Sequence, residues 1–298
     1  MTAMQSRVQK ILAQAGLCSR REAETWISAG RVMVNGQRAV IGQVADTESD
    51  VIAVDGRILS LRLQRVYLIL NKPIGYTTSL KDRHAEHIIS ELVPSKFGRV
   101  FPVGRLDKQS SGLIVLTNDG FLAHRLMHPS YAVAKVYEVL VQGVPRRTHL
   151  ARMTRGIQLD DGYAKPRDVR VIRSESNQTL LRLTLTEGKK REVRRIFEAI
   201  GHPVMSLKRV AFGSLTLGSV PEGDIRPLTN REVKELYALV QHPQKQNSTN
   251  RRDDRSSEYT QPRLAERGVR YSGRFAISTR HAKHTVGNSR RNSGRDYR

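Results

Sequence analysis

Residues 1–62 carry the apolar spacing of two short helices followed by small strands. Each helical stripe is preceded by a capping-box pattern and followed by a glycine, which is typical of helix ends. The predicted boundary residues are Ser6 with Gln9 and Gly16 for the first helix, and Ser19 with Glu22 and Gly30 for the second. Residues 32–34 and 51–54 predict strands, each closed by an Asn-Gly or Asp-Gly hairpin turn. This part predicts a small helix-helix-sheet domain.

Residues 63–240 mix strand and helix patterns without regular alternation. The predicted strands are 66–70, 100–103, 113–116, 135–141, 169–172 and 180–186, and the predicted helices are 120–127, 146–154, 190–200 and 230–240. Helices interspersed in this way favour an α+β domain on a mainly antiparallel sheet over a doubly wound parallel sheet. Residues 241–298 hold 14 Lys and Arg against 5 Asp and Glu among many small polar residues, which predicts a disordered basic tail.

Charge indicates the class of partner. The chain has 51 Lys and Arg against 28 Asp and Glu, a net charge of +23, which favours binding to a polyanion such as nucleic acid. Cys18 is the single cysteine, so no internal disulfide forms, and no Cys/His spacing typical of zinc occurs. His124 and His128 are four residues apart without a nearby acidic third ligand, so we expect no metal site. The apolar runs are too short to span a bilayer, and we expect a cytoplasmic protein without a membrane partner.

Three separate segments hold candidate catalytic residues. Asp107 lies in a turn between two apolar strands, where it either stabilises the turn or performs chemistry. Tyr137 lies on a strand, where a tyrosine is more often part of the core. Arg194 borders the apolar stripe of a predicted helix and could reach a buried carboxylate, whereas Arg191 and Arg195 point away and suit phosphate. The predicted inward stripe of that helix is Val193, Ile196, Phe197 and Ile200.

These segments, in this order, resemble the RsuA/RluB-type pseudouridine synthase family over about residues 5 to 240. The motifs that carry the resemblance are residues 104–107 (GRLD) continuing through 111–113 (SGL) to 116–120 (LTNDG), residues 72–75 (KPIG), and the segments around Tyr137 and Arg194. Residues 16–23 and 30–36 resemble the S-four, or alpha-L, RNA-binding module. The resemblance implies that Asp107 is the essential aspartate, Tyr137 the active-site tyrosine and Arg194 the arginine that pairs with the aspartate.

The implied reaction detaches uracil from ribose and reattaches it through carbon five, so no cofactor is expected. Asp107 would either attack the anomeric carbon or remove a ribose proton to give a glycal, and both routes stay open. Tyr137 would assist loss of the carbon-five proton. The target nucleotide must be flipped out of the RNA, which gives basic residues a role in holding the backbone. The candidates for RNA binding are Arg20, Arg21, Arg31, Arg105, Lys108, Arg191 and Arg195.

Sequence details favour the large-subunit branch of the family. Residues 125–130 and 191–195 indicate a uridine of 23S ribosomal RNA, free or in a large-subunit assembly intermediate, and no obligate protein partner is expected. The alternatives are the same reaction on 16S ribosomal RNA and a non-catalytic ribosome-assembly protein that uses only the RNA-binding parts. A nuclease or methyltransferase is disfavoured, because the chain has no acidic metal cluster and no Gly-rich cofactor loop after a strand.

Overall fold

A computed structural model describes residues 5–47, 49–59 and 64–243 of the chain. The helices are α1 (Val8–Gln14), α2 (Arg20–Ser28), α3 (Gly120–Met127), α4 (Arg147–Arg155), α5 (Glu192–Glu198) and α6 (Asn230–Leu239). The strands are β1 (Gln5–Arg7), β2 (Val32–Val34), β3 (Gln37–Arg38), β4 (Val44–Asp46), β5 (Ile52–Val54), β6 (Arg57–Ile58), β7 (Tyr67–Lys72), β8 (Phe101–Val103), β9 (Ser111–Thr117), β10 (Lys135–Gln142), β11 (Ile157–Leu159), β12 (Gly162–Ala164), β13 (Asp168–Ser174), β14 (Gln178–Leu185), β15 (Val204–Phe212), β16 (Leu215–Thr216) and β17 (Ile225–Pro227).

The N-terminal helix-helix-sheet unit has the predicted form. Ser19 and Glu22 make the capping box of α2, with the Glu22 amide donating to Ser19 Oγ at 3.1 Å and the Ser19 amide donating to Glu22 Oε2 at 3.3 Å. The β2–β3 and β5–β6 hairpins turn through Asn35-Gly36 and Asp55-Gly56, all four with positive φ. The apolar faces of both helices and of β2 and β5 form one buried cluster around Ile11.

The predicted capping box at Ser6 and Gln9 is wrong. Arg7 precedes α1 and no side chain caps this helix, because residues 5–7 form β1 and pair with β4 instead. Ser6 is paired with Ala45 in that ladder. The backbone of residues 5–7 is therefore paired with a distant strand, whereas the local pattern predicted that Ser6 would cap a helix.

The second unit is built on one large sheet. Among the described residues it has nine strands, in the order β13-β14-β10-β15-β9-β7-β17, with β16 beside β15 and β8 beside β9. Its pairings are antiparallel except that of β15 with β9, so the mainly antiparallel α+β fold is confirmed. The predicted boundary at residue 62 and the tail beyond residue 243 lie outside the described residues, so the domain limits of 1–62, 63–240 and 241–298 stay predictions.

The central strand β15 was not predicted. Its buried positions include Leu207, Phe212 and the charged Arg209, which is only 2% exposed. A charged residue at a core position breaks the apolar alternation by which a strand is recognised. The strand joins the β10 side of the sheet to the β9 side, so it determines which distant segments become neighbours.

Three apolar clusters pack against this sheet: one covers β7 and β9 around Leu70, and the other two join the sheet to helices. One joins β10 and β14 to α5 around Phe197, and the predicted inward stripe of α5 is buried as expected. The other joins β9 to α3 and α6 around Leu126.

Asp119 connects three elements of the cluster around Leu126. Its Oδ1 accepts from two amides at the start of α3, and its Oδ2 accepts from Arg65 and from the hydroxyls of Tyr67 and Tyr237. Burial raises the pKa of Asp119, but the hydrogen bonds outweigh burial and leave the pKa below its ordinary value. The motif residue 119 is therefore a structural anchor that ties α6 and β7 to α3.

Candidate active site

A cavity of about 1180 Å³ opens at the centre of the large sheet. Asp107 from the loop between β8 and β9, and Tyr137 from β10, both line it. Its apolar lining comes from the two clusters that join the sheet to helices, including Leu126 and Phe212 on one side and Val193 on the other. The sheet thus brings together two candidate residues that are 30 positions apart in the sequence. The volume is sufficient for a nucleotide.

The loop that carries Asp107 is held through its backbone. Thr78 Oγ1 donates to the Leu106 carbonyl at 2.7 Å and accepts from the Leu106 amide at 3.2 Å. The Gly75 amide donates to the Lys108 carbonyl at 2.9 Å, and the Ser110 amide donates to the Asp107 carbonyl at 3.0 Å. Four hydrogen bonds therefore restrain residues 106–110 before any substrate binds, which is the preorganisation that a reacting carboxylate requires.

Lys72 supports the same loop from inside the protein. Its side chain is fully buried, and Nζ donates to the carbonyls of Pro73 at 2.7 Å and Ser110 at 2.8 Å. Burial lowers the pKa of Lys72 to about 8, although the negative charge of Asp107 opposes this shift. The lysine of the KPIG motif is thus a buried cation close to Asp107.

Arg194 also binds the loop, but not in the predicted way. Its Nη2 donates to the Gln109 carbonyl at 2.8 Å and its Nη1 to the Val204 carbonyl at 3.2 Å. Both residues are described, and the predicted ion pair between Arg194 and Asp107 is absent, because both terminal nitrogens are directed to backbone oxygens. Burial lowers the pKa of Arg194, while the charge of Asp107 raises it, so the two groups still interact at longer range. Arg194 therefore contacts the backbone of the loop that carries Asp107 and not the carboxylate itself.

Tyr137 is half-buried on the inner sheet. In the antiparallel pairing of β10 with β15 it lies directly opposite Arg209. In the parallel pairing of β15 with β9, Arg209 lies opposite Gly112. Arg209 therefore occupies the strand between the tyrosine and the segment that follows the Asp107 loop.

The predicted RNA-binding residues fall into two groups. Arg20, Arg21, Arg105 and Arg191 are exposed and have no ion-pair partner among the described residues; Lys108 is exposed and approaches Glu86 at 3.6 Å. Arg31 and Arg195 instead make two-point ion pairs with Asp55 and Asp161. A paired arginine has fewer donors for a phosphate, so the first group suits RNA better.

Sequence reasoning missed several residues of the site. Thr78, Lys135, Glu192 and Arg209 line the cavity but were not candidates, and Lys72 was noted only as part of a motif. Lys72, Glu192 and Arg209 are less than 5% exposed. Burial of a charged residue is a signal of function, yet only the tertiary structure reveals it.

Thr78 offers a test of the held loop. We expect Thr78→Val, which keeps the shape but loses both hydrogen bonds to Leu106, to lower kcat about tenfold or more, because small displacements of a reacting group are costly. Thr78→Ser retains the hydroxyl and is expected to stay within about threefold of the wild type. Initial-rate assays at saturating substrate measure this, and equal kcat for Thr78→Val and wild type would contradict it.

Comparison with known proteins identifies the family to which the chain belongs. Residues 66–199 match the family model for RNA pseudouridylate synthase, and residues 6–51 match that for the S4 domain. An uncharacterized RNA pseudouridine synthase from Aquifex aeolicus is 44% identical over 239 residues, covering 80% of this chain and 96% of that protein. Ribosomal large subunit pseudouridine synthase B from Bacillus subtilis is 40% identical over 238 residues, covering 79% and 97%. The protein of that name from Vibrio cholerae is 37% identical over 277 residues, covering 90% and 86%.

A solved structure is also similar. The crystal structure of a pseudouridylate synthase superposes with a TM-score of 0.55 at 28% identity, covering 77% of this chain and 99% of that one. The chain therefore belongs to the RNA pseudouridylate synthase family, with an S4 domain at its N-terminal side, and is an enzyme that isomerises uridine to pseudouridine. The family predicted from the motifs is confirmed.

No helix in residues 5–47, 49–59 and 64–243 is long and apolar enough to cross a membrane. Within the same ranges, no three His, Cys, Asp or Glu side chains are grouped as metal ligands, and the rings of His124 and His128 lie 5.5 Å apart.

Proposed function

We propose that this enzyme converts a uridine of large-subunit ribosomal RNA to pseudouridine in the cytoplasm, with Asp107 as the essential carboxylate. The observation that carries the proposal is the joint position of Asp107 and Tyr137 on one cavity, in a chain with 37–40% identity to two proteins named ribosomal large subunit pseudouridine synthase B. The net charge of +23 suits an RNA substrate.

The proposal gives each residue a task. Asp107 faces the ribose of a flipped uridine and either attacks its anomeric carbon or removes a ribose proton. Tyr137 assists departure of the proton from carbon five after the base has reattached. Arg194, with Thr78 and Lys72, keeps the Asp107 loop in place. Arg105 and Arg191, exposed on the cavity wall, hold the displaced RNA backbone.

The proposal is tested by a carbodiimide-based pseudouridine map of ribosomal RNA from cells that lack the protein. We expect one site in 23S ribosomal RNA to disappear and to return when the wild-type gene is restored. A site lost only from 16S ribosomal RNA would overturn the choice of substrate. A map without any change would overturn the assignment to ribosomal RNA.

Tyr137 provides a second test, of the late step. Tyr137→Phe removes the hydroxyl that we expect to serve proton loss, so release of tritium from [5-³H]uridine in the substrate RNA should slow by about a hundredfold or more. RNA affinity should stay within about threefold. The matched control is Tyr163→Phe, because Tyr163 is 63% exposed on β12. Wild-type tritium release from the Tyr137 variant would exclude this role.

A further inference from the structure

Two buried charged residues of the cavity have one atom each without a protein partner. Arg209, 2% exposed, donates from Nε to the Leu113 carbonyl at 2.6 Å, but its Nη2 meets no acceptor among the described residues. Glu192, 4% exposed, accepts the Lys189 amide at 3.1 Å, but its Oε1 meets no donor in the same ranges. Buried polar atoms are nearly always hydrogen-bonded, since leaving them unpaired is costly. One free donor and one free acceptor at the same cavity indicate a ligand that supplies the opposite groups.

The two residues belong to one electrostatic cluster. Lys135 Nζ donates to the carbonyls of Val133 at 2.9 Å and Thr186 at 3.1 Å. Burial lowers the pKa of Lys135 to about 8, with Arg209 lowering it further and Glu192 raising it. Lys135 lines the same cavity as both residues and lies two positions before Tyr137 on β10, and two of its three ammonium hydrogens are engaged by backbone carbonyls. The cluster holds two cations and one carboxylate.

The position of the cluster relates it to the reaction. Arg209 is opposite Tyr137 on one side and opposite Gly112 on the other. Glu192 begins α5, whose Val193 also lines the cavity. Asp107, Tyr137, Arg209 and Glu192 all line one cavity, so a base whose ribose reaches Asp107 enters the cavity that these two charged residues line.

We propose that Arg209 and Glu192 recognise the hydrogen-bonding edge of uracil, with Arg209 donating to a ring carbonyl and Glu192 accepting the N3 hydrogen. Uracil presents acceptor, donor and acceptor along this edge, which complements a guanidinium beside a carboxylate. The inference rests on the proposed function and adds to it the residues that select the base.

The same contacts assist bond cleavage. When the bond between the anomeric carbon and N1 breaks, its electron pair leaves with the base, and the negative charge spreads over N1 and the two carbonyl oxygens. Arg209 is a fixed cation beside one of these oxygens and stabilises the charge as it develops. The pair then forms the new bond from carbon five to the anomeric carbon, the carbon-five proton leaves, and N1 gains a proton. No atom is added or lost overall.

Glu192 accounts for selection against cytosine. Cytosine N3 carries a lone pair and no hydrogen, so it would face the Glu192 carboxylate without a proton between them. A buried site built for a donor rejects an analogue that lacks it, because the site's own group then stays unpaired. Glu192 is therefore a specificity-determining residue.

The test combines a change in the enzyme, at Glu192, with a change in the substrate, at the N3 hydrogen. Single-turnover rates are measured on an RNA fragment that contains either the mapped uridine or 3-methyluridine at that position. The methyl group removes the N3 hydrogen and leaves carbon five free to react. With the wild type we expect 3-methyluridine to lower the single-turnover rate about a hundredfold or more. With Glu192→Ala, which removes the acceptor and makes room for the methyl group, we expect that ratio to fall to about tenfold or less.

Glu192→Gln keeps the shape of the side chain and serves if the alanine variant does not fold. It too should lose most of the preference for uridine over 3-methyluridine. Arg209→Met should lower kcat about a hundredfold on uridine, whereas Arg209→Lys, which keeps the charge, should retain more of the rate. Glu198→Gln and Glu198→Ala on the exposed face of α5 are the matched controls and should keep the wild-type ratio.

The possible results separate this inference from the proposed function. If the map of ribosomal RNA shows no lost site, the proposed function fails. If a site is lost, the wild type modifies the uridine fragment and the Glu192 variants keep the full hundredfold ratio, the inference is overturned while the function stands. A purely structural role of Glu192 would slow both substrates equally and leave the ratio unchanged, which would also overturn it.

Discussion

Asp107→Asn is expected to lower the rate of pseudouridine formation by at least about ten-thousandfold. The amide has nearly the same size as the carboxylate but can neither attack the anomeric carbon nor remove a ribose proton, and loss of a reacting group has effects of this magnitude. The backbone bonds from Thr78, Gly75 and Lys72 do not involve the side chain, so the loop should keep its position. Single-turnover assays on the mapped RNA fragment measure this, with RNA affinity determined in parallel.

Two variants complete the Asp107 experiment. Asp107→Ala is included because an asparagine can deamidate slowly to aspartate and so restore activity, whereas an alanine cannot. Asp160→Asn is the matched control, because Asp160 is exposed in the turn between β11 and β12 and should react like the wild type. If Asp107→Asn kept a tenth of the wild-type rate while Asp107→Ala did the same, Asp107 would not be the reacting carboxylate.

Gly112→Ala is expected to destabilise the catalytic domain by about 3 kcal/mol or more. Gly112 has a φ of +105°, and a Cβ built there would lie 2.3 Å from the Arg209 carbonyl oxygen and 2.7 Å from its amide nitrogen. Both contacts are to backbone atoms in the middle of the sheet, and these atoms cannot move away as a side chain could by changing its rotamer. The alanine must separate β9 from β15 at the point where the Asp107 loop, Tyr137 and Arg209 come together.

Gly223→Ala separates this clash from the cost of the backbone conformation. Gly223 has a φ of +88°, and nothing lies within 4 Å of a Cβ built there. It should lose only about 1–2 kcal/mol, the usual cost of a side chain in this conformation. Urea denaturation of both variants and the wild type gives the comparison. Equal losses for the two glycines would show that close approach of β9 and β15 is not what requires Gly112.

In the N-terminal unit, local sequence patterns predicted some structural features correctly and one of them wrongly. The Ser19–Glu22 capping box and the two hairpin turns were predicted because they depend on residues two to four positions apart. The box at Ser6 failed because β4, almost 40 residues away, pairs with that segment. The local preference of Ser6 for capping a helix was outweighed by strand pairing between β1 and β4, and no short stretch of the sequence contains both strands.

At the candidate site, too, motifs and periodicity predicted some features, whereas contacts between distant residues determined others. Asp107 and Tyr137 were identified by motif resemblance and lie on one cavity, as the resemblance implies. Arg194 was expected at the carboxylate, but its terminal nitrogens bind the carbonyls of Gln109 and Val204. Helical periodicity correctly placed Arg194 at the border of the apolar stripe, but periodicity around one helix does not show what lies opposite it.

Short-range spacing, total charge and contiguous motifs were sufficient to predict the class of fold, most of the helices and strands, the attraction to a polyanion and the family. Other features became visible only in the folded chain: β15 lies between β10 and β9, Glu192 and Arg209 are buried at the cavity, Lys72 is buried beside the Asp107 loop, and Arg194 contacts that loop. They could not be predicted because burial and strand pairing depend on contacts between segments that are distant in the sequence. A charged residue looks like a surface residue in any short stretch of sequence, and its burial follows only when the sheet forms around it.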